Sequence, residues 1–271
     1  MTEVARKLEA LRTLLGELGR VGVAVSGGVD SMTLAVVAQR FFGCEVEMFH
    51  AVSPAVPPEA TDRVTRYAER EGWRLRLLDA GEFENADYLR NPVDRCFFCK
   101  SNLYDSIAPL TDSVIVSGTN LDDLGDYRPG LGAARERGIR HPFVEAGIDK
   151  ASVRAIAREL GLDDLSELPA APCLSSRIET GIRVEPEVLA LIHRVERFLE
   201  RELEPDSVRC RVRSSGLVIE LDANSLARLS LDREESLAKG IAEIWRAEGF
   251  EHSVRFAPYR MGSAFLRSVA E

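Results

Sequence analysis

Six consecutive residues, Ser26-Gly27-Gly28-Val29-Asp30-Ser31, concentrate groups that suit a polyphosphate. Two glycines without Cβ let an anion approach the backbone closely. The hydroxyls of Ser26 and Ser31 can donate hydrogen bonds. Asp30 can hold a magnesium ion that shares its shell with phosphate oxygens and water. The apolar run Val21-Gly22-Val23-Ala24-Val25 precedes the stretch and Met32-Thr33-Leu34-Ala35-Val36-Val37 follows it, an order that reads as buried strand, turn and helix. Such a turn aims backbone N–H groups and a helix N-terminus at an anion. It is not the GxxxxGK[ST] phosphate loop, which disfavours a kinase-like site. A bare Gly-Gly pair would serve turn geometry alone; the strand, both serines and the Asp favour a nucleotide.

A second segment, Ser117-Gly118-Thr119-Asn120-Leu121-Asp122-Asp123, closes another apolar run, and Asp126-Tyr127-Arg128-Pro129-Gly130 follows shortly. Gly118 permits a tight exit from a strand. The carboxylates of Asp122, Asp123 and Asp126 suit magnesium or the nucleotide, and equally suit the first turn of a helix. Arg128 can face a phosphate or a carboxylate as a fork. Lys150 opens a strongly patterned helix, where a cation opposes the helix dipole, so an anion is expected beside it.

Five cysteines in a chain with no disulfide-rich composition point to catalysis, metal binding or burial. Cys96-Phe97-Phe98-Cys99 is a CxxC pair between Arg95 and Lys100, and Cys173 lies in Pro172-Cys173-Leu174-Ser175-Ser176-Arg177. A structural zinc site wants four ligands; only three well-placed cysteines are present, with His141 a weak fourth. Three thiolates suit a [4Fe–4S] cluster that leaves one iron open to an exogenous ligand. Cys173 alone is the other candidate sulfur source, with Arg177 near enough in sequence to favour a thiolate. Cys44 and Cys210 read as packing residues.

The Ser26–Ser31 stretch resembles the SGGxDS signature of the PP-loop ATP pyrophosphatases. Taken with GTNLDD, DYRPG, NPVDRCFFCK and PCLSSRI, it resembles the LarE family, strongly before Val184 and more loosely after. The resemblance implies an α/β fold, a parallel-sheet PP-loop domain followed by a smaller α+β domain. It implies an ATP-dependent sulfurtransferase of nickel-pincer cofactor synthesis that releases AMP and pyrophosphate. A carboxylate of a pyridinium biscarboxylic acid mononucleotide is adenylated and becomes a thiocarboxylate. By the same resemblance Ser26, Gly27, Gly28, Asp30, Ser31, Gly118, Thr119, Asn120 and Lys150 hold ATP, and Asp30 and Asp123 hold magnesium. Arg128, Arg177, Arg211 and Arg213 hold the substrate. The family is similar to two chemical types: one gives up the sulfur of a single loop cysteine, matching Cys173, and the other joins two further cysteines, matching Cys96 and Cys99, around a cluster. The CxxC favours the cluster type here. LarE relatives assemble as homo-oligomers, so a homo-oligomer is implied.

These groups need elements to position them. Apolar runs at 21–25, 46–52, 75–78 and 113–117 read as strands, with helices at 59–71 and 150–160 between or after them. That alternation predicts a parallel sheet with ligands at the carboxyl ends of its strands. The stretch 168–184, rich in proline and alanine, reads as a loop. Beyond it the pattern changes to helix 186–203, strands 208–213 and 217–221 around Ser214-Ser215-Gly216, helix 234–248 and strand 252–256. The expected division is a PP-loop domain at 1–180 and an α+β substrate-binding or oligomerisation domain at 181–271. Period two places Arg209, Arg211 and Arg213 on one face of their strand, as a substrate-holding row or a solvated face.

At 271 residues, 45% apolar and 29% charged, the composition is that of an ordinary globular protein. No apolar run spans a membrane, and the N-terminus reads as an amphipathic helix rather than a signal peptide, so a cytoplasmic location is expected. A net charge of −9 speaks against a nucleic-acid partner, and so against a tRNA thiolase, the nearest rival reading. An ammonia-using amide ligase and a nucleotide-binding module without turnover are the others.

Overall fold

The computed structural model describes residues 2–125, 128–170 and 172–266. In chain order the elements are α1 (Glu3–Leu18), β1 (Val21–Ala24), α2 (Val29–Phe42), β2 (Val46–Ala51), α3 (Pro58–Glu71) and β3 (Leu75–Leu78). Next come α4 (Ala86–Leu89), α5 (Arg95–Ile107), β4 (Val114–Ser117), α6 (Pro129–Glu136), α7 (Pro142–Glu145), α8 (Lys150–Glu159) and α9 (Asp163–Ser166). The chain ends with α10 (Pro186–Leu203), β5 (Val208–Arg213), β6 (Gly216–Leu221), α11 (Ala223–Ala227), α12 (Leu231–Arg246) and β7 (Val254–Pro258). It divides into two compact units: 1–85 with 94–171, and 86–93 with 172–271.

The first unit is built on a four-stranded sheet in the order β3-β2-β1-β4, with every neighbouring pair parallel. Val21, Val23, Val46 and Met48 pack with α1, α2, α3 and α8 in one apolar core. Ala24 and Phe49 belong to another, with Tyr104 and Ile107 of α5 and Ala134 of α6. Helices on both faces explain why the buried strands β1 and β2 read as near-continuous apolar runs rather than alternating ones. α2 is the most enclosed helix: Leu34 through Ala38 are fully buried, each large side chain contributing about 1.5–3 kcal/mol. Strand order reverses between β1 and β4, which creates a crevice beyond their carboxyl ends.

The second unit carries a three-stranded sheet in the order β5-β6-β7. β5 and β6 form an antiparallel hairpin whose two-residue loop is Ser214-Ser215, and β7 joins β6 in parallel. α10 buries Leu189, Ile192, Val195 and Leu199, and α12 buries Leu237, Ile241 and Trp245. Segment 86–93 is tied into this unit by Asn91, whose side chain donates to the carbonyls of Glu179 and Ile182 at 2.8 and 2.9 Å. Among the described residues no helix is long and apolar enough to cross a membrane.

Candidate active site

β1 and β4 run side by side in register, with Ala24 opposite Ser117. Both glycine-containing motifs therefore leave the sheet at one end. Gly118 fixes how closely they meet, since a Cβ there would lie 2.6 Å from the Ser31 nitrogen and 2.8 Å from the Asp30 carbonyl carbon. Gly27 has φ +79°, and its Cβ would press on Ala60 of α3 at 2.8–2.9 Å. That glycine serves close packing as well as backbone conformation, while Gly28 faces only the Ser26 hydroxyl, at 3.6 Å.

The loop closes on itself through its serines. The Ser26 backbone N–H donates to Ser31 Oγ at 3.0 Å, the two hydroxyls lie 3.0 Å apart, and Ser31 Oγ donates to the Gly28 carbonyl at 3.2 Å. α2 has Gly28 at its N-cap and no side-chain cap. By contrast α1, α8 and α12 are capped by Thr2, Asp149 and Ser230. The first-turn N–H groups of α2 thus have no capping acceptor, which is the condition for binding an anion.

Charged side chains of both motifs interlock across the crevice. Lys150 Nζ meets Asp30 Oδ2 at 2.5 Å, so the anion expected beside this helix-opening lysine is a carboxylate of the first loop. Buried Asn120 donates from its side chain to Asp30 Oδ1 at 3.2 Å and from its backbone to Asp123 Oδ2 at 3.1 Å. Asp123 also pairs with Arg128 at 2.7 Å, and Asp122 accepts from the Lys150 backbone at 3.1 Å. Thr119, Ser117 and His141 form a hydrogen-bonded chain, at 3.1 Å between the hydroxyls and 2.8 Å from Ser117 Oγ to His141 Nδ1. Burial, aided by Lys100, holds the His141 imidazole below its usual range against the opposing pull of Glu145 and Asp123. Asp126 lies outside the described residues.

Two residues with no motif to announce them also touch this region. His50, at the end of β2, is buried with Nδ1 2.8 Å from the Val25 carbonyl and Nε2 2.9 Å from the Thr61 hydroxyl. The carbonyl can only accept, so Nδ1 carries the proton. Burial depresses the pKa more than this bond raises it. Arg63 of α3 donates from Nη1 to the Gly27 carbonyl at 2.7 Å. Both depend on how α3 packs on the loop, which no local pattern encodes.

Cys96 and Cys99 are half-buried, three residues apart in the first turn of α5, and so share a helix face. α6 begins against that turn: a Cβ on Gly130 would lie 3.0 Å from Lys100 Cγ and 3.4 Å from the Cys96 carbonyl. The Arg128-Pro129-Gly130 segment therefore joins the CxxC helix to the second motif. None of the five cysteines is in a disulfide. Among the described residues no group of three or more His, Cys, Asp or Glu is poised to hold a metal by itself. Cys44 is exposed, and Cys210 is fully buried, its thiol pushed well up by burial.

In the second unit Cys173 is exposed and directly precedes the 3-10 turn Leu174–Arg177. Arg177 is buried and grips Glu196 with two bonds of 3.0 and 2.9 Å, while Nη1 donates to the carbonyls of Pro172 and Cys173 at 2.6 and 3.1 Å. Burial lowers its pKa, and Glu196 more than offsets that. Its fork thus holds the backbone of the cysteine loop. Arg211 is also buried, bonded to Glu220 at 2.9 Å and to the Ser176 carbonyl at 3.1 Å. Arg213 shares Glu220 at 2.9 Å. Arg211 and Arg213 thus converge on one buried carboxylate rather than standing on a solvated face. Tyr88 adds a 2.6 Å bond to Ser175.

No protein-family profile matches the chain. An uncharacterized protein of Synechocystis sp. is 40% identical over 230 residues, covering 83% of this chain and 85% of that one. A probable tRNA sulfurtransferase of Methanothermobacter thermautotrophicus is 24% identical over 190 residues, 64% of this chain and 48% of that one. The pyridinium-3,5-bisthiocarboxylic acid mononucleotide synthase of Lactiplantibacillus plantarum is 31% identical over 226 residues, 82% of this chain and 81% of that one. An identity of that size over that span shows the family, and the chain belongs to the LarE family of ATP-dependent sulfurtransferases within the PP-loop superfamily.

Proposed function

We propose that this enzyme adenylates a carboxylate of a pyridinium biscarboxylic acid mononucleotide and converts it to a thiocarboxylate for nickel-pincer cofactor synthesis. The observation that carries the reading is the uncapped α2 loop meeting Asp30, Asn120 and Lys150 at the sheet's switch point, with the CxxC helix packed on the adjoining Arg128–Gly130 segment. A carboxylate is a poor electrophile and its oxygen a poor leaving group. Its attack on the α-phosphorus of ATP breaks the bond to pyrophosphate, which departs with the electron pair and leaves an acyl adenylate. Ser26 to Ser31 receive the pyrophosphate at the α2 N-terminus. Gly118, Thr119, Asn120 and Lys150 line the nucleotide, and Lys150 and Arg128 balance its charge.

Asp30 and Asp123 offer hard oxygen ligands and are both tied to Asn120. One or two carboxylates, completed by phosphate and water, is the usual protein share of a magnesium site, so the donor set fits. Magnesium bound there would neutralise phosphate charge. On the number and type of thiolates alone, Cys96, Cys99 and Cys173 are the residues that would hold a [4Fe–4S] cluster, and three thiolates would leave one iron open. Such a cluster would supply sulfide as the nucleophile that displaces AMP. Arg177 and Arg211 act as positioning residues for the Cys173 loop, and Arg213, the more exposed of the two arginines on Glu220, would meet the anionic substrate.

The exposure of Cys173 favours a second reading, in which its own sulfur attacks the acyl carbon. AMP leaves, the Cβ–S bond then breaks with loss of the Cα proton, and dehydroalanine remains. Anaerobic purification with iron and sulfide analysis, plus intact mass before and after turnover, separates the two. The cluster reading expects bound iron and sulfide and an unchanged chain mass. A colourless chain that loses the mass of hydrogen sulfide in turnover overturns it in favour of the sacrificial cysteine.

A further inference from the structure

α3 lies against the glycine-rich loop closely enough that Gly27 has no room for a side chain beside Ala60. One turn along the same helix, the half-buried Arg63 lays its guanidinium on that loop, with the Nη1 bond to the Gly27 carbonyl at 2.7 Å. A carbonyl takes up one of the five donors of an arginine. Among the described residues Arg63 makes no ion pair; Asp164 and Glu59 act on it only through longer-range attraction, against repulsion from Arg66. Arg40 of α2 and Arg70 at the end of α3 are committed instead: Arg40 grips Glu71 at 2.8 Å, and Arg70 stacks on Tyr67 and pairs with Glu71. A half-buried cation aimed at a glycine-rich loop, without a carboxylate in contact, lacks an anion. The Lys150 charge at the loop is already met by Asp30.

We infer that Arg63 is a pyrophosphate-binding residue, whose remaining guanidinium donors take the β- and γ-phosphates of ATP and hold the pyrophosphate as it leaves. This rests on the nucleotide reading of the loop. It assigns α3 a part in substrate binding: the helix carries a positive fork to the Gly27 end of the loop, where the leaving group would gather charge as the α-phosphorus bond breaks. The Gly27 bond fixes the fork's orientation before ATP arrives.

The test is equilibrium binding of pyrophosphate and of AMP, each in magnesium buffer, to the full chain and to Arg63→Gln. Glutamine keeps a donor for the Gly27 carbonyl and removes the charge. Loss of one charge-assisted contact weakens pyrophosphate binding by about tenfold or more, while AMP, which lacks both outer phosphates, binds as before. Equal weakening of both ligands, or unchanged pyrophosphate binding, overturns the inference and leaves Arg63 a loop clamp. Failure of the unaltered chain to bind either ligand overturns the nucleotide reading itself. Should Arg63→Gln not fold, Arg63→Lys keeps the charge without the fork; a severalfold loss for pyrophosphate alone supports the inference, and parallel losses for both ligands overturn it.

Discussion

The two regions to which the chemistry is assigned use charge in opposite ways. Around the glycine-rich loop the ion pairs are open: the side chains of Lys150 and Asp30 are 34% and 24% exposed. Around Cys173 they are sealed, with Arg177 and Glu196 at 4% and 7% and Arg211 and Glu220 at 5% and 3%. An open pair can exchange its partner for a phosphate or a metal at small cost, because water already screens it. A buried pair cannot, because breaking it strands a desolvated charge. The first region is arranged to bind and release, and the second to hold one loop in one place.

The sharpest way to break this contrast is to remove one partner from each pair. Glu196→Ala leaves Arg177 buried without its carboxylate and removes the acceptor of the Cys210 N–H. It should cost about 3–5 kcal/mol, read as a lower denaturant midpoint, and should loosen the Cys173 loop. Asp30→Asn should change stability by no more than about 1 kcal/mol while lowering ATP-dependent AMP release by about a hundredfold. If the two substitutions had the same stability effect, the distinction between open and sealed charges would fail.

A smaller effect comes from pH. Burial holds His50 and His141 below the ordinary histidine value of 6.5. The unfolded chain therefore takes up protons first as pH falls, so stability is full above about pH 6.5 and declines below it until the folded imidazoles also titrate. Glu71, Glu145 and Asp105, held low chiefly by arginine hydrogen bonds, lose their contribution only in a lower window, as pH falls below ordinary carboxylate values. Denaturant titrations of His50→Gln should show a shallower slope between pH 7 and 5 and the same slope below 4. An unchanged slope in the upper window would remove the histidine assignment.

What the sequence made legible differs between the two regions for the same physical reason. The four parallel strands are found within a residue of the apolar runs that announced them; β1 and β2 are written as near-continuous hydrophobic stretches because they are covered on both faces, while the edge strand β3 stays half-exposed. The Ser26–Ser31 turn is local, and its hydrogen bonds close within six residues. The second region depends on pairings far apart in sequence. Arg177 finds Glu196 nineteen residues on, Arg211 finds Glu220 across a hairpin, and Tyr88 and Asn91 reach Ser175 and Glu179 from nearly ninety residues away. Period two put the arginines on one face but could not name the acid facing them, which register decides. Helix 234–248 begins earlier, at Leu231, because Ser230 caps it by accepting from the Arg233 N–H.

The most direct test of a carboxylate-activating site that works separately from its sulfur source is ATP–pyrophosphate exchange by Cys173→Ala with the mononucleotide acid. Exchange should run at close to the unaltered rate, with no thiocarboxylate in the product mass spectrum. Thiocarboxylate formed without Cys173, or exchange lost together with it, would rule out a separate activating site.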